Sequence, residues 1–208
     1  MKDRTVRIAV LVSGGGTNLQ ALIDAEKSGV ISSGKIELVV SSKSGAYALE
    51  RAERAGIETA FISKKECGGT EGFEAKLIGL LEARGIELIV LAGFLSILSA
   101  DFTNRYEDRI INVHPSLIPS FCGAGFYGLT VHEKALEYGV KVTGATVHFV
   151  NEVPDGGRII LQKAVEIEEG DTAESLQKRV MEQAEWIILP EAVEMVCRGI
   201  LKEQGGKA

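Results

Sequence analysis

Val6-Arg7-Ile8-Ala9-Val10-Leu11-Val12-Ser13-Gly14-Gly15-Gly16-Thr17-Asn18-Leu19 is the stretch on which the fold turns. The run from Val6 to Val12 is almost entirely apolar. That is the mark of a strand buried on both faces, as in a parallel sheet covered by helices. Glycines then break the run, and an apolar-periodic segment from about Leu19 to Lys27 reads as a helix. Strand, glycine turn and helix form the opening of an α/β sheet.

The pattern repeats down the chain. Ile36–Val40, Glu58–Ile62, Leu88–Ala92 and Arg109–Val113 read as strands. Helices are expected over Ala46–Ala55, closed by Gly56, and over Phe73–Ala83, closed by Gly85. Alternation of this kind predicts a single-domain α/β fold, Rossmann-like, with a mostly parallel sheet and helices on both faces. The second half differs. Val131–Tyr138 is helical, Thr143–Val150 alternates, and Ile159–Ile167 reads as its partner across the loop Asn151–Gly157. This predicts an antiparallel C-terminal extension of the same sheet. Thr172–Leu201 reads as a long amphipathic helix broken near Pro190, and Glu203–Ala208 as a frayed polar tail. One domain over residues 1–208 is expected.

Composition narrows the function. A chain of 208 residues with 45% hydrophobic and 25% charged residues has ordinary globular make-up. The net charge of -6, without a basic stripe, argues against nucleic acid as a partner. No apolar run is long enough for a membrane span, and Met1-Lys2-Asp3-Arg4 shows no signal-peptide pattern. Cys67, Cys122 and Cys197 are scattered, with neither a CxxC pair nor a metal spacing. A cytoplasmic, metal-free protein is expected.

The turn Ser13-Gly14-Gly15-Gly16-Thr17-Asn18 has the residues of a phosphate loop. Glycines let the backbone approach an anion, and the helix dipole adds positive potential. Thr17 or Asn18 would cap the helix and touch the same anion. A plain tight turn is the alternative. Leu19 stands where a dinucleotide fingerprint has its third glycine, and Ser41-Ser42 where it has an acid. No Walker lysine is present, so a small sugar phosphate fits better than NAD or ATP.

Ile110-Ile111-Asn112-Val113-His114-Pro115 carries the chemistry. Asn112 and His114, two positions apart on a strand, point to one side. An amide donor beside a titratable donor is equipment for holding an oxyanion in acyl transfer. His132 and His148 read as structural. Asp155-Gly156 is either a hairpin turn or the site of a carboxylate that keeps an imidazole protonated.

Taken in order, Ser13–Gln20, Leu91–Phe94, Asn112–Leu117, Gly144–Val150 and Asp155–Ile160 resemble the folate-dependent phosphoribosylglycinamide formyltransferases. The match runs from about Val6 to Pro190. The resemblance implies a formyltransferase fold and transfer of a formyl group from the co-substrate 10-formyltetrahydrofolate to the amine of 5′-phosphoribosylglycinamide, in purine (IMP) biosynthesis. It implies direct attack through a tetrahedral intermediate, with no metal. Asn112, His114 and Asp155 match the catalytic trio. Gly16, Thr17 and Asn18 match contacts to the ribose phosphate, and Glu185 an acid near the substrate amine. Thr70, Leu95, Ser96, Ile97, Leu98, Asn112, Asn151, Val153 and Asp155 match positions that hold the folate. Residues 1–105 would be the phosphate-binding half and residues 106–208 the catalytic and folate-binding half, in a monomer or homodimer.

The sequence also departs from that family's enterobacterial pattern. Ser96 replaces an arginine, Thr70 lacks a charge, and Met181 replaces a polar residue. An extra residue falls around Ala184, and the glycine-rich segment Ser120–Leu129 reads as a mobile flap or an ordinary surface loop. Two related readings are set aside. A methionyl-tRNA formyltransferase would carry a further C-terminal domain and a tRNA-binding surface. A formyltetrahydrofolate deformylase would have an N-terminal regulatory domain, and a second histidine where Pro115 stands. A phosphate-binding module without activity, and a Rossmann dehydrogenase, fit the residues less well.

Overall fold

The computed structural model describes residues 4–206. The first strand, β1 (Val6–Val12), leads into helix α1 (Thr17–Ser28). Next come β2 (Gly34–Ser41), α2 (Tyr47–Arg54), β3 (Glu58–Phe61), α3 (Thr70–Ala83) and β4 (Leu88–Leu91). A short helix α4 (Ala100–Arg105) precedes β5 (Ile110–His114). Then follow α5 (Leu129–Tyr138), β6 (Val142–Phe149), β7 (Ile159–Glu166), α6 (Ala173–Val180), a π-helical turn over Met181–Glu185, and α7 (Trp186–Gly205).

All the strands form one sheet in the order β3-β2-β1-β4-β5-β6-β7. β3 to β5 run parallel, and β6 and β7 pair antiparallel beyond them, as the sequence predicts. Both faces of β1 are covered. Val6, Ile8, Val10 and Val12 join one core with α1 and α7, while Ala9 and Leu11 join another with Phe73, Leu77 and Phe102. The unbroken apolar run is the consequence of this double burial. The order reverses at β1, with β2 on one side and β4 on the other. Ligands of such sheets bind in the crevice at the carboxyl ends of those strands.

Three details differ from expectation. α4 was not read from the sequence: it is one short helix capped by Ser99, whose side chain accepts from the Phe102 amide. The C-terminal helix breaks at the π turn, not at Pro190, which lies inside α7. A π turn accommodates one more residue than an α turn, and it lies where the sequence reading expects an extra residue around Ala184. The tail expected to fray from Glu203 is helical through Gly205. Residues 1–3 and 207–208, on which part of the terminal readings fall, lie outside the described residues. Among the described residues no helix is long and apolar enough to cross a membrane.

α7 is tied to the sheet by Glu194. Its carboxylate accepts from the amides of Ser32 and Ser33, both at 2.9 Å, and from their hydroxyls at 3.0 and 2.9 Å. Arg198 Nε donates to it at 2.7 Å. Burial opposes ionisation, but the Ser33 amide, Arg198, the Ser33 hydroxyl and the Ser32 amide outweigh it and hold the pKa at about 2. A depressed carboxylate stabilises the fold above its ordinary value of 4.5, and that stabilisation fades as pH falls towards 2. Glu194→Gln is therefore expected to cost about 1–3 kcal/mol at pH 7. Denaturant melts of both chains should show the gap narrowing below pH 4.5; a gap independent of pH would contradict this.

Candidate active site

Three loops meet where β1, β4 and β5 end. The loop after β1 is tied to the one after β4, because the Leu95 amide donates to Ser13 Oγ at 3.0 Å. Ser13 Oγ is also 2.8 Å from Ser42 Oγ. Gly16 starts α1 at φ 72°, ψ 34°, with no side-chain cap. Here Thr17 and Asn18 do not cap the helix as expected. Thr17 is already its first residue, and Asn18 Nδ2 donates to Glu185 Oε2 at 2.7 Å. No other residue type suits position 16: a Cβ there would lie 2.6 Å from Ala48 Cβ, on a left-handed backbone.

Glu185 reaches Asn18 from the π turn. It is buried, and burial, only partly opposed by the Asn18 amide, pushes its pKa up to about 7. The widened turn also brings Met181 Sδ to 3.8 Å from Thr17 Oγ1. The π turn thus carries Glu185 on the side facing the glycine loop.

β5 delivers Asn112 and His114 from the parallel part of the sheet to the antiparallel part. Asn112 lies opposite His148 in β6, and His114 opposite Thr146. Asn112 Nδ2 is 3.2 Å from His148 Nε2, and His148 Nδ1 is 2.8 Å from the Phe149 carbonyl. The carbonyl can only accept, so Nδ1 carries a proton. His148, read as structural in the sequence, belongs to the site.

Asp155 joins this group from the β6–β7 loop. Its Oδ2 is 3.5 Å from His114 Nδ1 and its Oδ1 3.6 Å from His148 Nε2. The Gly123 amide donates to Oδ2 at 2.8 Å. Asp155 is thus a turn residue at φ 54° that also places a carboxylate beside an imidazole. Burial works against its ionisation, but His148, the Gly123 amide and His114 hold its pKa below the usual value.

His114 Nε2 is 2.8 Å from the carbonyl of Phe121. Phe121 also has a left-handed backbone, at φ 49°. Two non-glycine residues at positive φ thus grip one imidazole, and such strain collects at functional sites. The expectation that Asp155 keeps His114 charged meets an opposing effect. Burial pulls the imidazole below its ordinary 6.5, against the upward pull of Asp155 and the Phe121 carbonyl. The Phe121 carbonyl can only accept, so Nε2 carries a proton, and Nδ1 faces the carboxylate. Both neighbours are acceptors, so a second proton on Nδ1 would be bound between ring and carboxylate.

The segment Ser120–Leu129 folds over the site. Besides the Phe121 and Gly123 contacts, the Ser120 carbonyl accepts from Ser116 Oγ at 2.6 Å. Phe126, Tyr127 and Gly128 line a cavity of about 290 Å³ together with Asn18, His114, Met181 and Glu185. Among the described residues no lysine or arginine lines it. A second cavity, of about 130 Å³, is lined by Ser96, Ile97, Leu98, Asn151, Val153 and His148. Phe94, Asn112 and Asp155 line both. Leu95 lines the first cavity only. Thr70 is not brought to either; it lines a separate hollow with Glu71, Glu74, Ser99 and Asp101. Among the described residues no group of His, Cys, Asp and Glu side chains has a metal-binding arrangement.

The fold has close counterparts. The formyl transferase family model matches residues 6–193. The trifunctional purine biosynthetic protein adenosine-3 of Gallus gallus is 48% identical over 97% of this chain, which spans only 19% of that protein. The phosphoribosylglycinamide formyltransferase of Escherichia coli (strain K12) is 40% identical over 95% of this chain and 90% of its own length. Among solved structures, glycinamide ribonucleotide transformylase 1 from Symbiobacterium toebii superposes with a TM-score of 0.88 and 41% identity, covering 95% of this chain and 90% of that one. A family match over the whole sheet, together with a relative 40% identical along 90% of its own length, settles the matter: the chain belongs to the formyl transferase family.

Proposed function

We propose that the chain transfers the formyl group of 10-formyltetrahydrofolate to the amine of 5′-phosphoribosylglycinamide, a step of purine biosynthesis, in the cytoplasm and without a metal. The formyl transferase family uses that folate as co-substrate, and full-length relatives carry the name of this activity. The observation that carries the reading is the meeting of two cavities at Asn112 and Asp155. Group transfer between two small molecules needs both reagents within reach of one set of donors.

The folate supplies an activated one-carbon unit. Ser96, Ile97, Leu98, Asn151 and Val153 would hold it, in a cavity whose lining mixes apolar with hydrogen-bonding side chains. The ribose phosphate would rest on Gly16, Thr17 and Asn18, with its amine beside Glu185. At about 7, the Glu185 pKa lets this carboxylate accept a proton from an incoming ammonium near neutral pH. The Asn112 amide would then donate to the oxygen on which charge develops as the amine attacks, and the positive charge of protonated His114 would stabilise it. Asp155 orients the imidazole, favours its second proton, and guides a proton towards the leaving nitrogen. Hydrogen-bond donors aimed at developing charge supply the largest share of such catalysis.

Incubation with 10-formyltetrahydrofolate, with and without the ribonucleotide, tests the activity. Tetrahydrofolate is expected only when both are present; release without the amine would mean hydrolysis and contradict the proposal. His114→Ala and Asp155→Asn are each expected to lower kcat by about 10²–10³ with both KM values nearly kept. Turnover near that of the unaltered chain in either variant would remove that residue from the mechanism.

The charge balance at His114 has its own readout. A ¹H NMR titration of its ring protons in the unliganded chain should give a midpoint below 6.5, because burial outweighs Asp155. Asp155→Asn removes the upward pull and should lower the midpoint further. A midpoint that rises in the variant would contradict this electrostatic account.

A further inference from the structure

The glycine loop is held from behind by α2, and the way it is held decides where its amides point. The Ala48 amide donates to the Gly14 carbonyl at 3.1 Å. Arg51 Nε donates to the Gly15 carbonyl at 2.8 Å. The Gln20 amide donates to the Gly16 carbonyl at 2.9 Å, closing the first turn of α1. The peptide bonds of this loop are trans. In a trans peptide the C=O and the following N–H point in opposite directions. Fixing three successive carbonyls therefore turns the N–H groups of Gly15, Gly16 and Thr17 the other way, away from these donors. Such a run of amides is an anion cradle.

Of the three donors, Arg51 alone is a side chain, and its guanidinium is immobilised. Nη1 donates to Gln20 Oε1 at 3.1 Å, and the group lies 4.9 Å from the centre of the Tyr47 ring. The planar fork can hold the Gly15 carbonyl and Gln20 together, which the point charge of a lysine does less well. Two features make the contact matter. Gly14 and Gly15 are free of neighbours that would confine them, since an added Cβ would meet nothing within 4 Å. The cavity that Asn18 lines has, among the described residues, no lysine or arginine in its lining.

We infer that Arg51 is a positioning residue for phosphate recognition: by pinning the Gly15 carbonyl it aims the Gly16 amide at the substrate's phosphate, and its charge strengthens the cradle from behind. The inference rests on the proposed ribonucleotide substrate. It assigns Arg51 a role in binding and none in formyl transfer itself.

The test compares the unaltered chain with Arg51→Met and Arg51→Lys, using phosphoribosylglycinamide and its 5′-hydroxyl analogue as formyl acceptors. Arg51→Met should raise KM for the phosphorylated acceptor about tenfold, as expected for losing one charge-assisted hydrogen bond, with kcat and the folate KM nearly kept. Turnover of the hydroxyl analogue should not change, and Arg51→Lys should recover part of the loss. Thermal melts identify a variant that fails to fold. In that event Gln20→Leu, which frees one anchor of the guanidinium, should show a smaller loss of the same selectivity. If the variants keep the unaltered chain's preference for the phosphorylated acceptor, Arg51 has no such role. An unaltered chain that transfers formyl but shows no preference would instead overturn the phosphate-loop reading, and this inference with it.

Discussion

Burial of β1 on both faces is the constraint on which the rest depends. With Val6, Ile8, Val10 and Val12 in one core and Ala9 and Leu11 in the other, the strand has no side left for polar function. β4 is buried in the same way along its whole length. Chemistry is therefore pushed to the carboxyl ends of the strands, where the chain must leave the core. The glycine loop, the Phe94–Leu98 segment and the end of β5 all gather there. The reversal of strand order at β1 opens the crevice that they line.

The second organising feature is the change from parallel to antiparallel pairing at β5. It gives one strand two kinds of neighbour. β4 brings the loop that lines both cavities, and β6 brings His148 opposite Asn112 and then turns back through the loop that carries Asp155. The cavities thus draw on both halves of the chain. His114 is fixed between Asp155 and the Phe121 carbonyl, each supplied by a residue with left-handed backbone. That arrangement uses conformational strain to place two acceptors around one ring.

Legibility in the sequence followed the range of the interaction. β1 and its glycine turn were readable because a buried strand and a tight turn are local patterns. Asn112 and His114 were readable as a pair because two-residue spacing on a strand fixes their common side. His148 was not, since its place beside Asn112 depends on the register of two strands far apart in sequence. The meeting of Asp155 with His114 rested on family resemblance for the same reason. α4 was missed because six residues carry little periodicity, though Ser99 gave a capping signal. The π turn that keeps Glu185 inside was not legible, because a local widening of a helix depends on how the helix packs.

The central claim is spatial: two reagents meet at Asn112 and Asp155, one from each cavity. A crystal structure of the chain with a covalent adduct joining a folate analogue to glycinamide ribonucleotide tests it most directly. The account predicts the pterin between Ser96 and Val153, the phosphate on the amides of Gly15 and Gly16, and the joining carbon beside Asn112 and His114. A pterin bound outside the Ser96–Val153 cavity, or a phosphate remote from the glycine loop, would contradict it.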